Sequence, residues 1–97
     1  MKIGIVGTGN ISLRHLEEFN KIDNVKVEAV CDTNKDNLEK FLLLNKEHKI
    51  NGYSNLDEMF ANEKNFDGIT NATPDKFHKE TSIKILDCGY NIFCEKP

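Results

Sequence analysis

Two glycines one residue apart interrupt the chain almost at its start, in the stretch Gly4-Ile5-Val6-Gly7-Thr8-Gly9-Asn10. The residues before them read as a short buried strand and those after as a helix. A glycine at position 7 permits a tight turn. A glycine at position 9 lets the backbone come against a pyrophosphate, which the helix N-terminus receives with its N–H groups and positive dipole end. The third position of this phosphate-turn pattern holds Ser12, small enough for close helix–sheet packing but not the usual glycine or alanine. Asp32 ends the next apolar run, 20 residues beyond Ser12 (32 − 12), where a carboxylate can bond the hydroxyls of an adenosine ribose. A tight turn plus a solvated aspartate is the plainer reading. The strand–glycine–helix order and the spacing of the acid favour a dinucleotide.

The charge on Asp32 would repel a 2′-phosphate, which favours NAD over NADP. Lys35, close by in sequence, leaves NADP open as the alternative. Methyltransferases also place a glycine loop after a first strand and an acid after a second, but usually carry a further acid just before the glycines. Here that stretch is Ile3-Gly4-Ile5-Val6.

These residues need a scaffold, and the chain supplies strands alternating with helices. Lys2 to Val6 predicts a strand, and Asn10 to about Ile22 a helix with Ile11, Ser12, Leu16, Phe19 and Ile22 inward. Residues 24–32 predict a second strand in which Val25, Val27 and Ala29 alternate. A helix follows over 34–47, capped by Thr33 or Asn34, with Leu38, Phe41, Leu42 and Leu44 on its stripe. A short strand fits 50–53. Ser54 and Asp57 resemble a capping box opening a helix through Leu56, Met59 and Phe60. Residues 66–72 predict a fourth strand, and Thr73-Pro74 the start of a helix with Phe77, Thr81, Ile85 and Cys88 inward and Gly89 as its left-handed cap. Residues 90–95 predict a fifth strand. Such a βαβαβαβαβ order implies an α/β fold: a Rossmann-type, doubly wound parallel sheet of about five strands, order 3-2-1-4-5, with helices on both faces. Ligands of such sheets sit beyond the carboxyl ends of the strands, at the switch point.

At 97 residues the chain is one domain, 1–97, with a globular rather than disordered composition. A net charge of −3 argues against a nucleic-acid or membrane-surface binder. No apolar run approaches the roughly 18 residues that cross a bilayer, and the start does not read as a signal peptide. Cys31, Cys88 and Cys94 show no CxxC spacing and read as reduced, mostly buried thiols of a cytoplasmic protein. His15 and His48 read as exposed helix positions.

With Gly7-x-Gly9, Asp32, Ala72-Thr73-Pro74 followed by His78, and the terminal Glu95-Lys96-Pro97, the whole chain resembles the N-terminal domain of the glucose–fructose oxidoreductase/inositol dehydrogenase/MocA family. The resemblance implies an NAD(P)-dependent oxidoreductase acting on sugars, cyclitols and related small molecules. It implies that Gly7, Thr8, Gly9, Asn10 and Ile11 hold the pyrophosphate and Asp32 the ribose. Ala72, Thr73 and Pro74 would line the cofactor cleft, with His78 nearby. Glu95 and Lys96 would sit beside the nicotinamide, with Lys96 as the catalytic residue bonding the reacting substrate oxygen. No metal is implied. Family members continue with a further helix, a strand and a large α/β domain carrying the substrate pocket. The expectation is therefore a truncated domain that binds cofactor without turnover, its fifth strand an edge open to self-association. A non-catalytic NAD-sensing or docking module is the competing reading.

Overall fold

Among the described residues five strands form one parallel sheet, in the spatial order third, second, first, fourth, fifth along the chain. The strands are β1 (Lys2–Val6), β2 (Lys26–Cys31), β3 (Asn51–Tyr53), β4 (Gly68–Asn71) and β5 (Ile92–Cys94). Helices α1 (Asn10–Asn20), α2 (Lys35–Leu44), α3 (Leu56–Asn62) and α4 (Asp75–Asp87) make the crossovers, with a 3-10 turn at Lys46–His48 before β3. The computed structural model describes residues 1–73 and 75–94 and, within them, all side chains but those of 10–13, 75–78 and 93–94. The doubly wound architecture and strand order match the expectation, because alternating strands and helices joined by right-handed crossovers leave few other topologies.

The sheet separates two cores. On one face Ile3, Ile5, Val27 and Val30 pack against Leu16 of α1 and Leu38 and Phe41 of α2. On the other, Val6, Ala29, Cys31 and Ile69 pack against Met59 and Phe60 of α3, Ile85 of α4 and the loop residue Phe66. Phe60, Phe66 and Tyr90 form an aromatic cluster with ring centroids 5.3 to 6.2 Å apart. Phe66 and Tyr90 were expected within strands; they lie just outside β4 and β5 and close the core from the loops.

Other expectations are corrected. Val27 and Ala29 do not share a face. Ile3 pairs with Val27 and Gly4 with Ala29, so Glu28 is an extra residue on β2. This bulge turns Ala29 to the opposite core. Helix α1 ends at Asn20, and Ile22 is exposed in the turn that leads, through Asn24 at φ 67°, into β2. Helix α2 stops at Leu44, which is exposed; Asn45 leaves helical geometry at φ −119° and ψ 29°, and its side-chain amide donates to the Phe41 carbonyl at 2.8 Å. Asn34, not Thr33, caps α2, its side chain accepting from the Asn37 N–H at 3.1 Å. The cap of α3 is Asn55, one residue later than the expected Ser54. The Asn55 side chain accepts from the Glu58 N–H at 2.7 Å. Gly89 has the expected left-handed conformation, φ 85°, but Cys88 is exposed rather than inward. His15 and His48 are half-buried rather than exposed.

One buried charge ties β1, β3 and the end of α3 together. Glu63 is 8% exposed. Its carboxylate lies 3.2 Å from Lys2 Nζ and accepts from Asn51 Nδ2 at 2.9 Å and from the Tyr53 hydroxyl at 2.5 Å. Burial alone would raise the Glu63 carboxyl. Hydrogen bonds from Tyr53, Asn51 and Lys2, with the Lys2 charge, outweigh it and hold the group below its ordinary value. Burial, then the hydrogen bond to Glu63 and its charge, push Tyr53 up to about 12.

Candidate functional site

Three turns meet over the carboxyl ends of the strands, and each is stitched to its neighbour through the backbone. The Gly7 N–H donates to the Cys31 carbonyl at 2.7 Å, Asp32 to Tyr53 at 3.1 Å, and Ala72 to Val6 at 2.8 Å.

The two glycines of the first turn are glycines for different reasons. Gly7 has φ 93°, and a Cβ there would lie 2.9 Å from the Ala72 carbonyl carbon and oxygen and 3.0 Å from the Thr73 nitrogen. Both its conformation and the approach of the β4–α4 turn require it. Gly9 has extended backbone, φ −78° and ψ −168°, which any residue can adopt. Among the described residues a Cβ there would meet nothing within 4 Å. No crowding among them requires a glycine here, and open space lies beside Gly9 at the head of the helix. Gly9 is also the N-cap of α1, whose first turn holds no acidic residue to offset its positive end.

Asp32 closes the first turn from the side. One carboxylate oxygen, Oδ2, accepts from the Thr8 N–H at 2.9 Å and from the Thr8 hydroxyl at 2.7 Å. The other, Oδ1, accepts from the Asn34 N–H at 2.8 Å. Thr8 is 6% exposed, so its hydroxyl is turned onto Asp32 and not out to solvent. The β4–α4 turn is shaped in the same way by Asn71, which is 1% exposed. Its Oδ1 accepts from the Thr73 N–H at 3.2 Å and hydroxyl at 2.6 Å, and its Nδ2 donates to Ser82 at 2.9 Å.

Between the turns lies a cleft of about 1140 Å³, slightly above the roughly 300–1,000 Å³ of ordinary small-molecule sites. Gly7, Thr8, Gly9, Asp32, Ala72 and Thr73 all line it, so six of the expected site residues come together. Its further wall is made by Asn37, Asn55, Leu56, Thr81 and Lys84. Sequence reasoning missed these five, because α2, α3 and α4 converge here only through tertiary packing. Lys84 Nζ stands 3.1 Å from Asp57 on α3. Cys31 lies in the floor. Burial first, then the charges of Asp32 and Glu58, push its thiol up to about 12, so it is neutral and no nucleophile at physiological pH. Among the described residues no group of His, Cys, Asp and Glu could hold a metal ion.

Pro74, Glu95 and Lys96 lie outside the described residues. Asn10 and Ile11 are the first residues of α1, and His78 lies in the first turn of α4; these three are placed by their backbone alone. A positive φ turn, a helix end, a carboxylate at the next strand end and an open cleft beside Gly9 together fit an extended, phosphate-bearing nucleotide.

Fold and site thus define a dinucleotide-binding α/β domain. The family model described as "Oxidoreductase family, NAD-binding Rossmann fold" matches residues 1–97, and the chain belongs to this Gfo/Idh/MocA family as its NAD-binding domain. It is 34% identical over 97 residues to the glucose-6-phosphate 3-dehydrogenase of Bacillus subtilis, covering 99% of this chain and 26% of that one. It is 30% identical to the NADP(+) scyllo-inositol 2-dehydrogenase of the same organism, covering 100% and 29%. A more distant relative, 25% identical, is an α-N-acetylgalactosaminidase of Shewanella oneidensis. Among solved structures, the WlbA dehydrogenase of Bordetella pertussis in complex with NADH and UDP-GlcNAcA matches with a TM-score of 0.85 at 29% identity, covering 99% of this chain and 28% of that one. The myo-inositol 2-dehydrogenase of Lactobacillus plantarum matches with 0.81 at 33% identity, covering 100% and 28%. The chain spans about a quarter of the length of the curated relatives it matches. The family match leaves the methyltransferase alternative without support.

Proposed function

We propose that this chain is the cofactor-holding part of an NAD-dependent oxidoreductase acting on a sugar, cyclitol or related small hydroxyl compound. The observation that carries the reading is the space beside Gly9 at the head of α1, open among the described residues, next to a turn locked by Gly7 and Asp32. In this reading Gly7, Thr8, Gly9, Asn10 and Ile11 hold the pyrophosphate at the helix end. Asp32 takes the adenosine ribose, and its charge disfavours the 2′-phosphate of NADP. Ala72, Thr73, Pro74 and His78 border the cleft, and Glu95 and Lys96 approach the nicotinamide end. The bound cofactor supplies a hydride acceptor or donor. The chain's own part is to fix it, and Lys96 is the cation that bonds the substrate oxygen as its proton leaves.

Dehydrogenase relatives some three to four times longer support two further elements of the proposal. The substrate pocket belongs to a following domain, and residues 1–97 alone hold cofactor without turning over substrate. Free thiols at Cys31 and Cys88 support a cytoplasmic setting, and no helix among the described residues is long and apolar enough to cross a membrane. The partners are then a nicotinamide dinucleotide and a small molecule, with self-association through the β5 edge as a further contact.

Gly9→Val tests the reading. Its side chain fits the free protein but fills the space kept for the pyrophosphate, so titration calorimetry should show NADH binding in the unmodified chain and none in the variant. Equal affinity in both would refute the loop assignment. Release or consumption of reduced cofactor, followed by absorbance with a panel of sugars and cyclitols, should appear only in a protein extended past Pro97. Lys96→Ala should abolish it there.

A further inference from the structure

We propose that Thr8 is a positioning residue that fixes the Asp32 carboxylate and thereby sets the preference between NAD and NADP. The inference rests on the reading of Asp32 given above. An ionised carboxylate offers about four acceptor directions, two on each oxygen. In this site three are taken: both on Oδ2 by Thr8, and one on Oδ1 by the Asn34 N–H. Only Oδ1 keeps an open direction. The carboxylate cannot rotate without breaking hydrogen bonds to a charged acceptor, which are stronger than neutral ones.

Thr8 stands at a loop position where a hydroxyl could have faced a phosphate. It is buried and donates to Asp32 instead. The closure of the turn does not depend on that hydroxyl. Closure is carried by the backbone, through the Gly7 N–H on the Cys31 carbonyl and the Thr8 N–H on Asp32. Removing the hydroxyl therefore leaves the turn closed and frees one direction on Oδ2. The carboxylate stays on the Thr8 and Asn34 N–H groups but is less firmly fixed, and its plane can turn about those two bonds. It meets the ribose hydroxyls less well and retreats from the place where a 2′-phosphate would lie. Thr8 thus links the residue that reads the ribose to the turn that faces the pyrophosphate.

The experiment measures dissociation constants for NADH and NADPH, with thermal melting, on the 97-residue chain and on Thr8→Val, Thr8→Ser and Asp32→Ser. Thr8→Ala replaces Thr8→Val if the branched variant does not fold. The expected result is a shift of the NADH-to-NADPH affinity ratio toward NADPH by about tenfold in Thr8→Val, a difference of about 1.4 kcal/mol between the two cofactors. Thr8→Ser, which keeps the hydroxyl, should restore the ratio. A purely structural role would lower the melting temperature and weaken both cofactors equally; an unchanged ratio in a variant that still binds NADH overturns the proposal. If Asp32→Ser shifts the ratio and Thr8→Val does not, Asp32 keeps its role and Thr8 loses the one proposed. If the unmodified chain binds neither cofactor, the parent reading of the cleft fails, and the inference with it.

Discussion

Replacing Gly7 by alanine should cost this protein much of its stability, while the same change at Gly9 should cost almost nothing. At Gly7 the backbone has φ 93°, and the new Cβ would meet three backbone atoms of Ala72 and Thr73 at 2.9 to 3.0 Å. Left-handed backbone strain contributes about 1–2 kcal/mol. Overpacking against atoms that cannot rotate away adds about 1–3 kcal/mol. The expected total, about 2–5 kcal/mol, compares with a stability of about 5–15 kcal/mol for a domain of this size. For a domain of this length each kcal/mol lowers the melting temperature by about 4–8 °C, so even the lower end gives a fall of about 8 °C or more. At Gly9 the backbone is extended and the space is open. Alanine there should change stability by less than about 1 kcal/mol, and the sign can be favourable because the unfolded chain is stiffened. Circular dichroism melts and urea titrations of the two variants give the comparison. Equal stability of Gly7→Ala and the unmodified chain, or equal loss at both positions, would refute the distinction between a glycine required by packing and one required by a ligand.

Three further outcomes follow from the titratable groups. Glu63 is held below its ordinary value of 4.5, so the stability it contributes is fully present above that pH and is lost as pH falls through its lower folded value. Glu63→Gln should lower stability at neutral pH and flatten the acid limb of a stability–pH curve; an unchanged limb would show that the Lys2–Glu63 contact does not govern it. Tyr53, raised from 10.0 to about 12, favours the fold as the neutral phenol. Its contribution is complete below pH 10 and lost as pH rises toward 12, so Tyr53→Phe should remove part of the alkaline loss seen in melts. Cys31, neutral to about 12 and buried, should resist a thiol reagent at neutral pH in a Cys88→Ser, Cys94→Ser variant until denaturant is added; prompt labelling would contradict its place in the floor.

The strand order and the glycine turn were legible because their causes are local. An apolar run, a pair of glycines and an acid at a set spacing each leave a mark a few residues long, and right-handed crossovers convert element order into sheet order. The Glu28 bulge was not legible. Val25, Val27 and Ala29 alternate as in a regular strand, and only pairing with β1 reveals the extra residue. Ile22, Leu44 and Cys88 fit their helical stripes by periodicity, yet α1 and α2 end before Ile22 and after Leu44 in turns set by other residues. Thr8 and Asp32 are 24 residues apart, and the chain alone does not announce that one donates twice to the other. The α3–α4 wall of the cleft is hidden for the same reason: Leu56 and Lys84 become neighbours of one space only after the sheet has formed.

Val6 and Cys31 belong both to the core beneath α3 and α4 and to the lining of the cleft. The cleft therefore has no separate floor; its base is the upper layer of the core. A molecule seated there rests on residues whose exposure belongs to unfolding of that core, so occupancy should slow amide exchange far beyond the contact surface. A ligand at a hundredfold its dissociation constant adds about 2.7 kcal/mol to opening reactions that release it. The Gly7, Asp32 and Ala72 amides, bonded across neighbouring strand ends, are placed to report that gain. Protection rising together at all three would make the sheet's upper rim and its interior one exchange unit, and the cleft a thermodynamic extension of the core.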